Sequence, residues 1–216
     1  MNNSSNENDP LQDLVYIKDI MEKSSRFISL SGLSGVFAGI FAIVGAIVAE
    51  LYLNNIGRDY QDFANNMTVD ILNYKAIVFI IADACIVALL SVICGVYFTY
   101  RQSQKKGLKI WDKTSKRLLV NLFIPLAAGG IFCLILFYYN LFALVAPCTL
   151  IFYGFACFNA GKYTHDEVRY LGISEIALGL LGSLYLGYGY VIWIIGFGLL
   201  HILYGLLMYF KYEKGK

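Results

Sequence analysis

Three ionisable side chains sit inside long apolar runs: Asp83 in AIVFIIADACIVALL, Glu175 in LGISEIALGLL and His201 in IGFGLLHILYG. Such groups are costly within a bilayer and mark ion paths, proton relays or buried pairs there. At about 1.5 Å of rise per residue, Asp83 lies ~12 Å from Lys75 and His201 ~16 Å from Tyr190, both counted from the outer boundary. Glu175 lies ~9 Å from Arg169, counted from the inner boundary. An acid, an imidazole and an acid at graded depths are proton-relay groups, because histidine changes charge near neutral pH. The competing expectation is that each group is satisfied separately by a neighbouring hydroxyl or carbonyl, or that the acids stay protonated in place. Glu50, near the end of the first apolar run, reads as interfacial.

Other chemistry is sparse. Gly32-Leu33-Ser34-Gly35 fits a GxSG pattern and resembles the nucleophile motif of rhomboid-type intramembrane serine proteases. That family also has six spans and a histidine in the last. The position differs, since the family's serine belongs to the fourth span and Ser34 falls in the first. No enzyme is therefore expected, and Ser34 reads as a small packing residue. Cys85, Cys94, Cys133, Cys148 and Cys157 all lie in apolar runs with no CxxC, so neither a disulfide framework nor a metal site is expected. No nucleotide loop or haem motif occurs, and no cofactor is expected. The net charge of +2 gives no reason to expect nucleic acid as a partner.

These residues must be positioned by membrane helices. The chain is 58% hydrophobic and 15% charged, against about 25% charged in soluble domains. The expected fold is all-α: a six-helix transmembrane bundle with both termini cytoplasmic. Residues 1–26 form a cytoplasmic tail, with Met1 to Pro10 disordered and a weakly amphipathic helix over Leu11 to Ser25. No signal peptide precedes the first apolar run. Residues 27–210 form the bundle, with spans at about 27–53, 76–100, 118–138, 141–160, 170–186 and 190–210. Residues 211–216 are a charged tail. The run from Leu118 to Ala160 is too long for one span and must turn at Tyr138-Tyr139-Asn140; the run from Tyr170 to Phe210 must break near Gly187-Tyr188-Gly189-Tyr190. Pro125 and Pro147 are expected to kink their spans. In the polar loop after span one, Asp59 and Asp62 could share a helical face, and Asn66-Met67-Thr68 fits a glycosylation sequon.

Charge sets the direction. Arg101, Lys105, Lys106, Lys109, Lys113, Lys116 and Arg117 crowd one loop between apolar runs, and short basic loops stay cytoplasmic. With that loop inside, Lys18, Lys23, Arg26, Lys162, Arg169, Lys211, Lys214 and Lys216 fall inside too. Only Arg58 and Lys75 of the 17 Lys and Arg residues fall outside. The loop should also gather anionic lipid headgroups. Ser31, Gly35 and Gly39, and again Gly179, Ser183 and Gly187, recur every four residues, the spacing that lets helices approach closely within a chain or across a homodimer. The stretches RFISLSGLSG, IWDKTSKRLL and HILYG resemble a group of bacterial six-span membrane proteins, which implies a multi-pass protein of the bacterial inner membrane and no activity.

Two functions remain open at this point. One is a binding, sensor or accessory membrane protein, possible partners being the lipid bilayer, a second copy or another membrane protein. The other is a small-solute or proton-coupled transporter using Asp83, His201 and Glu175. A polar cavity would favour the second, and an exposed groove at Gly35 and Gly39 the first.

Overall fold

A long apolar run in a bilayer has one economical conformation, the helix that satisfies its own backbone hydrogen bonds. The computed structural model describes residues 30–57, 71–107 and 110–214. Among these the chain is all-helical, with no strand. The helices are α1 (Gly32–Asn55), α2 (Ile71–Lys105), α3 (Lys113–Tyr138), α4 (Val145–Ala160), α5 (Asp166–Leu184), α6 (Gly189–Trp193) and α7 (His201–Tyr212). A π-helical segment, Ile194–Leu200, joins α6 to α7 in one continuous rod. The expected surface helix at Leu11 to Ser25, the Asp59 and Asp62 pair, the Asn66 sequon and Lys109 lie outside the described residues.

Five helical stretches are long and apolar enough to cross a membrane: Gly32–Asn55, Tyr74–Lys105, Lys113–Tyr138, Phe142–Tyr163 and Leu186–Tyr212. The expected fifth span corresponds to α5, a helix of 19 residues that also carries Asp166, Glu167, Arg169 and Glu175 and is not one of the five. The breaks fall near their expected places. Helix α3 ends at Tyr138, and Asn140 takes a left-handed turn with φ of 58°, which Asn tolerates better than most residues. A 3-10 turn at Leu186–Tyr188 separates α5 from α6.

Two local expectations are revised. The basic stretch is less a loop than two helix ends. Arg101 and Lys105 belong to α2, and Lys113, Lys116 and Arg117 to α3. A helix does not stop where its apolar run stops; α2 continues to Lys105 and ends in a turn at Gly107, whose φ of 62° suits a residue without a side chain. Helix α3 starts at Asp112, whose carboxylate accepts the Ser115 backbone N–H at 2.6 Å. Burial works to raise the Asp112 carboxyl, but the Ser115 and Thr114 hydrogen bonds outweigh it and hold it below the ordinary value. Pro147 does not interrupt a helix interior, because it lies in the first turn of α4, where its missing N–H would have no helical partner. Pro125 does lie inside α3.

Packing depends on glycine. Added to Gly39, a Cβ would stand 2.5 Å from the carbonyl oxygen of Gly198; added to Gly205, it would stand 2.5 Å from the Val36 nitrogen. Gly32 and Gly35 face Gly205 from the other side, so α1 and the last rod touch backbone to backbone. Helices α4 and α5 meet the same way at Gly154 and Gly172, where each Cβ would stand 2.6 Å from the other's carbonyl oxygen. Gly179 rests on Pro147 and Ile151 of α4, Ser183 donates back to the Gly179 carbonyl, and Gly187 lies in the 3-10 turn. The last rod thus runs between α1 and the α4–α5 hairpin, with α2 on the far side of α1 and α3 against α4.

The ends are tied. Glu213 accepts hydrogen bonds from the Gly32 backbone N–H and the Ser31 hydroxyl, so the start of α1 and the end of α7 share one side. Beside them Glu167 accepts from Lys211 and Tyr212. Burial tends to raise the Glu167 carboxyl, but the Lys211, backbone and Tyr212 hydrogen bonds hold it below its usual value. The surface is apolar where a soluble protein's would be polar: Leu89, Val92, Ile93 and Val96 of α2 are all more than half exposed.

Gly39→Leu is expected to cost about 1–3 kcal/mol, the usual penalty of overpacking, because the obstacle is backbone and cannot rotate away. Gly95→Leu, facing open space on α2, should cost less than about 0.5 kcal/mol. Thermal denaturation of both variants in one detergent checks the contrast.

Candidate functional site

The last rod carries His201 into the centre of the packing. Glycines on both of its flanks allow neighbouring helices to close over it, and the π-helical segment just before it sets its direction. A π turn inserts one residue relative to regular helix, and such bulges recur at functional sites. His201 is 5% exposed and Glu175, from α5, is 0% exposed. Glu175 Oε1 lies 3.4 Å from His201 Nδ1. That is an ion-pair distance, but the geometry is not that of a hydrogen bond, and among the described residues neither Glu175 oxygen accepts one. Gly196 makes room for the carboxylate, since a Cβ there would stand 2.5 Å from Glu175 Oε2.

The imidazole has a partner on each nitrogen. Nδ1 faces the Gly196 carbonyl oxygen at 3.1 Å, and Nε2 faces the Tyr153 hydroxyl at 2.7 Å. One assignment of hydrogens satisfies both contacts in a neutral ring: Nδ1–H donates to Gly196, and Tyr153 donates to Nε2. Phe197 and Tyr153 stack around the ring, at centroid distances of 5.8 Å and 5.0–5.2 Å among the three rings. Cys157, one turn beyond Tyr153, and the Tyr204 hydroxyl complete the buried surroundings, and the Tyr204 hydroxyl has no hydrogen-bond partner among the described residues. In that tautomer Nδ1 already carries its proton and Nε2 is the ring's acceptor, so Glu175 stands beside the imidazole without a hydrogen bond to it.

Of the three intramembrane groups expected from sequence, two are brought together. Asp83 stands elsewhere, on α2 against α1, where its Oδ2 would be 3.2 Å from a Cβ on Gly45. No hydrogen bond or ion pair among the described residues joins it to Glu175 or His201. It borders instead a cavity of about 170 Å³, walled by Ala46, Phe137, Phe142, Tyr190 and Trp193 among others. The Tyr190 hydroxyl donates to the Ala46 carbonyl at 3.0 Å on that wall. Helical rise fixed the depths, but Asp83 meets the last rod across the cavity at Tyr190 and Trp193, near the start of α6, and not at His201.

The Ser34 hydroxyl donates to the Ser31 carbonyl at 2.5 Å. Gly35 and Gly39 are covered by the chain's own last rod rather than left as a groove. All five cysteines are free, and no group of three metal-ligating side chains occurs among the described residues. Tyr153, Gly196 and Glu213 were not foreseen. Tyr153 lies seven residues after Ala146 in an apolar helix and looks like any interfacial tyrosine; only the fold turns it onto His201. Compared with protein-family models, curated proteins and solved structures, the chain finds no match.

Tyr153→Phe is expected to destabilise the protein by about 1 kcal/mol, the net worth of one hydrogen bond. His201→Ala should cost at least about 2 kcal/mol, since it also opens a void and strips Glu175 of its nearest polar group. Paired denaturation curves of the two variants test the order; a costless His201→Ala would mean that the ring holds nothing together.

Proposed function

We propose that the chain is an integral membrane protein of six spans with both ends on the cytoplasmic face, and that it works as a binding, sensor or accessory protein. The observation that carries the functional reading is the separation of the intramembrane polar groups. Glu175 and His201 are sealed between helices, with His201 bound to Tyr153 and Gly196, while Asp83 borders a cavity of its own. A carrier needs a polar route between the two faces, and these groups favour a fixed tie beside a separate pocket.

The topology has its own support. Glu213 against Gly32 places the two ends of the described bundle on one side, as an even number of crossings requires. Helix α5 suits a sixth crossing, because Asp166, Glu167 and Arg169 gather in its first turn and Glu175 is turned inward. Lys105, Lys113, Lys116, Lys162 and Lys214 cluster toward the same side as that end, which argues for a cytoplasmic face and for contact with anionic lipid. A bacterial inner membrane is consistent with the sequence resemblance alone.

A proton-coupled carrier is the second reading, and one contact favours it: the Glu175 carboxyl beside an imidazole that also touches a tyrosine hydroxyl. Flux separates the two. Purified protein in liposomes with a pH step is expected to move no protons beyond the lipid background. A flux abolished by His201→Ala would favour the carrier.

Topology is tested by single cysteines in a background lacking the native five. Tyr139→Cys and Tyr185→Cys, both exposed, should react with an impermeant maleimide added to intact cells. Gln104→Cys should react only after permeabilisation. Outside labelling at position 104, or protection at 185, contradicts six spans with cytoplasmic ends.

A further inference from the structure

The cavity beside Asp83 has a composition that selects for one kind of ligand. It lies at the end of the bundle opposite the Glu213 tie, between α1, α2, α3, α4 and α6. Four aromatic rings, Phe137, Phe142, Tyr190 and Trp193, share its walls with alanine and isoleucine side chains. Asp83 is the one acidic or basic side chain on those walls, and no described residue gives it a hydrogen bond or an ion pair. A carboxylate within an apolar span needs a compensating partner, and no basic side chain on the cavity wall provides it. Ring faces and a carboxylate together attract a cation whose charge is spread over carbon. An inorganic cation is not suited, because it needs several oxygen ligands, and besides Asp83 the wall's side-chain oxygens are the Thr149 and Tyr190 hydroxyls, which already donate to the Ala146 and Ala46 carbonyls. The volume of about 170 Å³ is close to that of a cavity of about 150 Å³ known to hold benzene, so one compact head fits.

We propose that this cavity binds a protonated or quaternary ammonium group carried on an apolar body, with Asp83 as its counter-ion and Tyr190 and Trp193 as its aromatic walls. The proposal rests on the reading of the chain as a binding protein. The ligand enters with its apolar part already in the bilayer, so only the charged head needs a specific site. Gly45 holds the counter-ion in place, because the absence of a side chain there lets Asp83 lie against α1. The ammonium source is either a lipid headgroup or a free amphiphilic amine, and both present the same chemistry.

The test uses Trp193 as reporter, with Trp111→Phe removing the other tryptophan. The full chain in a neutral detergent is titrated with benzyltrimethylammonium and, separately, with neopentylbenzene, its uncharged carbon analogue. The expected result is a saturable change in Trp193 emission with the cation, and at least about tenfold weaker binding of the neutral analogue. Asp83→Asn should weaken cation binding by a similar factor. Equal binding of both compounds to the wild-type protein overturns the cation site while leaving a binding protein in place, and this comparison needs no Asp83 variant to fold. No saturable response to the cation also overturns it. Repeating the titration in phosphatidylcholine and phosphatidylglycerol nanodiscs assigns the source. Competition by phosphatidylcholine supports a lipid headgroup in the site, and equal binding in both supports a free amphiphile.

Discussion

The whole arrangement depends on backbone meeting backbone between α1 and the last rod. Lipid tails are as apolar as leucine, so helices in a bilayer gain little by hiding apolar surface from one another. They gain by approaching closely, and Gly32, Gly39, Gly198 and Gly205 remove the atoms that would keep them apart. The α4–α5 hairpin closes on the same logic at Gly154 and Gly172. With both seams shut, the last rod is held on two sides, and everything polar in the centre is positioned by it. Bulky apolar side chains are left to face outward, which is why α2 and α3 carry so much exposed leucine, isoleucine and phenylalanine.

Polar groups in this bundle follow from that constraint. A helix held along its length can change its winding once without losing its neighbours, and the segment Ile194–Leu200 is π-helical just before His201. Within that segment Gly196 lies under the Glu175 carboxylate and its carbonyl meets the imidazole. At the bundle's end, Glu213 uses one carboxylate to satisfy the first N–H of α1 and the Ser31 hydroxyl. An unpaired helix N-terminus favours such an anion. The cavity at the opposite end is where the packing is left incomplete, and Asp83 is the acid on its wall.

Much of this was legible in the chain, for reasons that differ from residue to residue. The helices, and the turns near Tyr138 and Gly187, follow from run length against bilayer thickness. The close contacts at Gly35, Gly39 and Gly179 follow from small residues one turn apart, although spacing alone favoured packing within the chain over a second copy without saying which helix would meet them. Depth along a helix is also legible, which is why Asp83, Glu175 and His201 stood out. Rotation about the helix axis is not. It parted Asp83 from the other two and turned Tyr153 onto His201. The π segment has no signature in Gly196-Phe197-Gly198 that would distinguish it from ordinary glycine-rich helix, and Glu213 becomes a cap only once the last helix returns beside the first.

That return is the central claim: the last rod lies along α1 within one chain, and the ends of the two helices meet on one side. The most direct measurement is cross-linking of a Ser31→Cys, Glu213→Cys double variant, in a background without the native cysteines, by a short bifunctional thiol reagent. The wild-type side chains lie 3.3 Å apart at their oxygens. The account predicts a cross-link that forms at low protein concentration and leaves a single chain of unchanged mass apart from the reagent. A bridge that joins two chains, or a failure to bridge while each cysteine alone reacts freely, would contradict it.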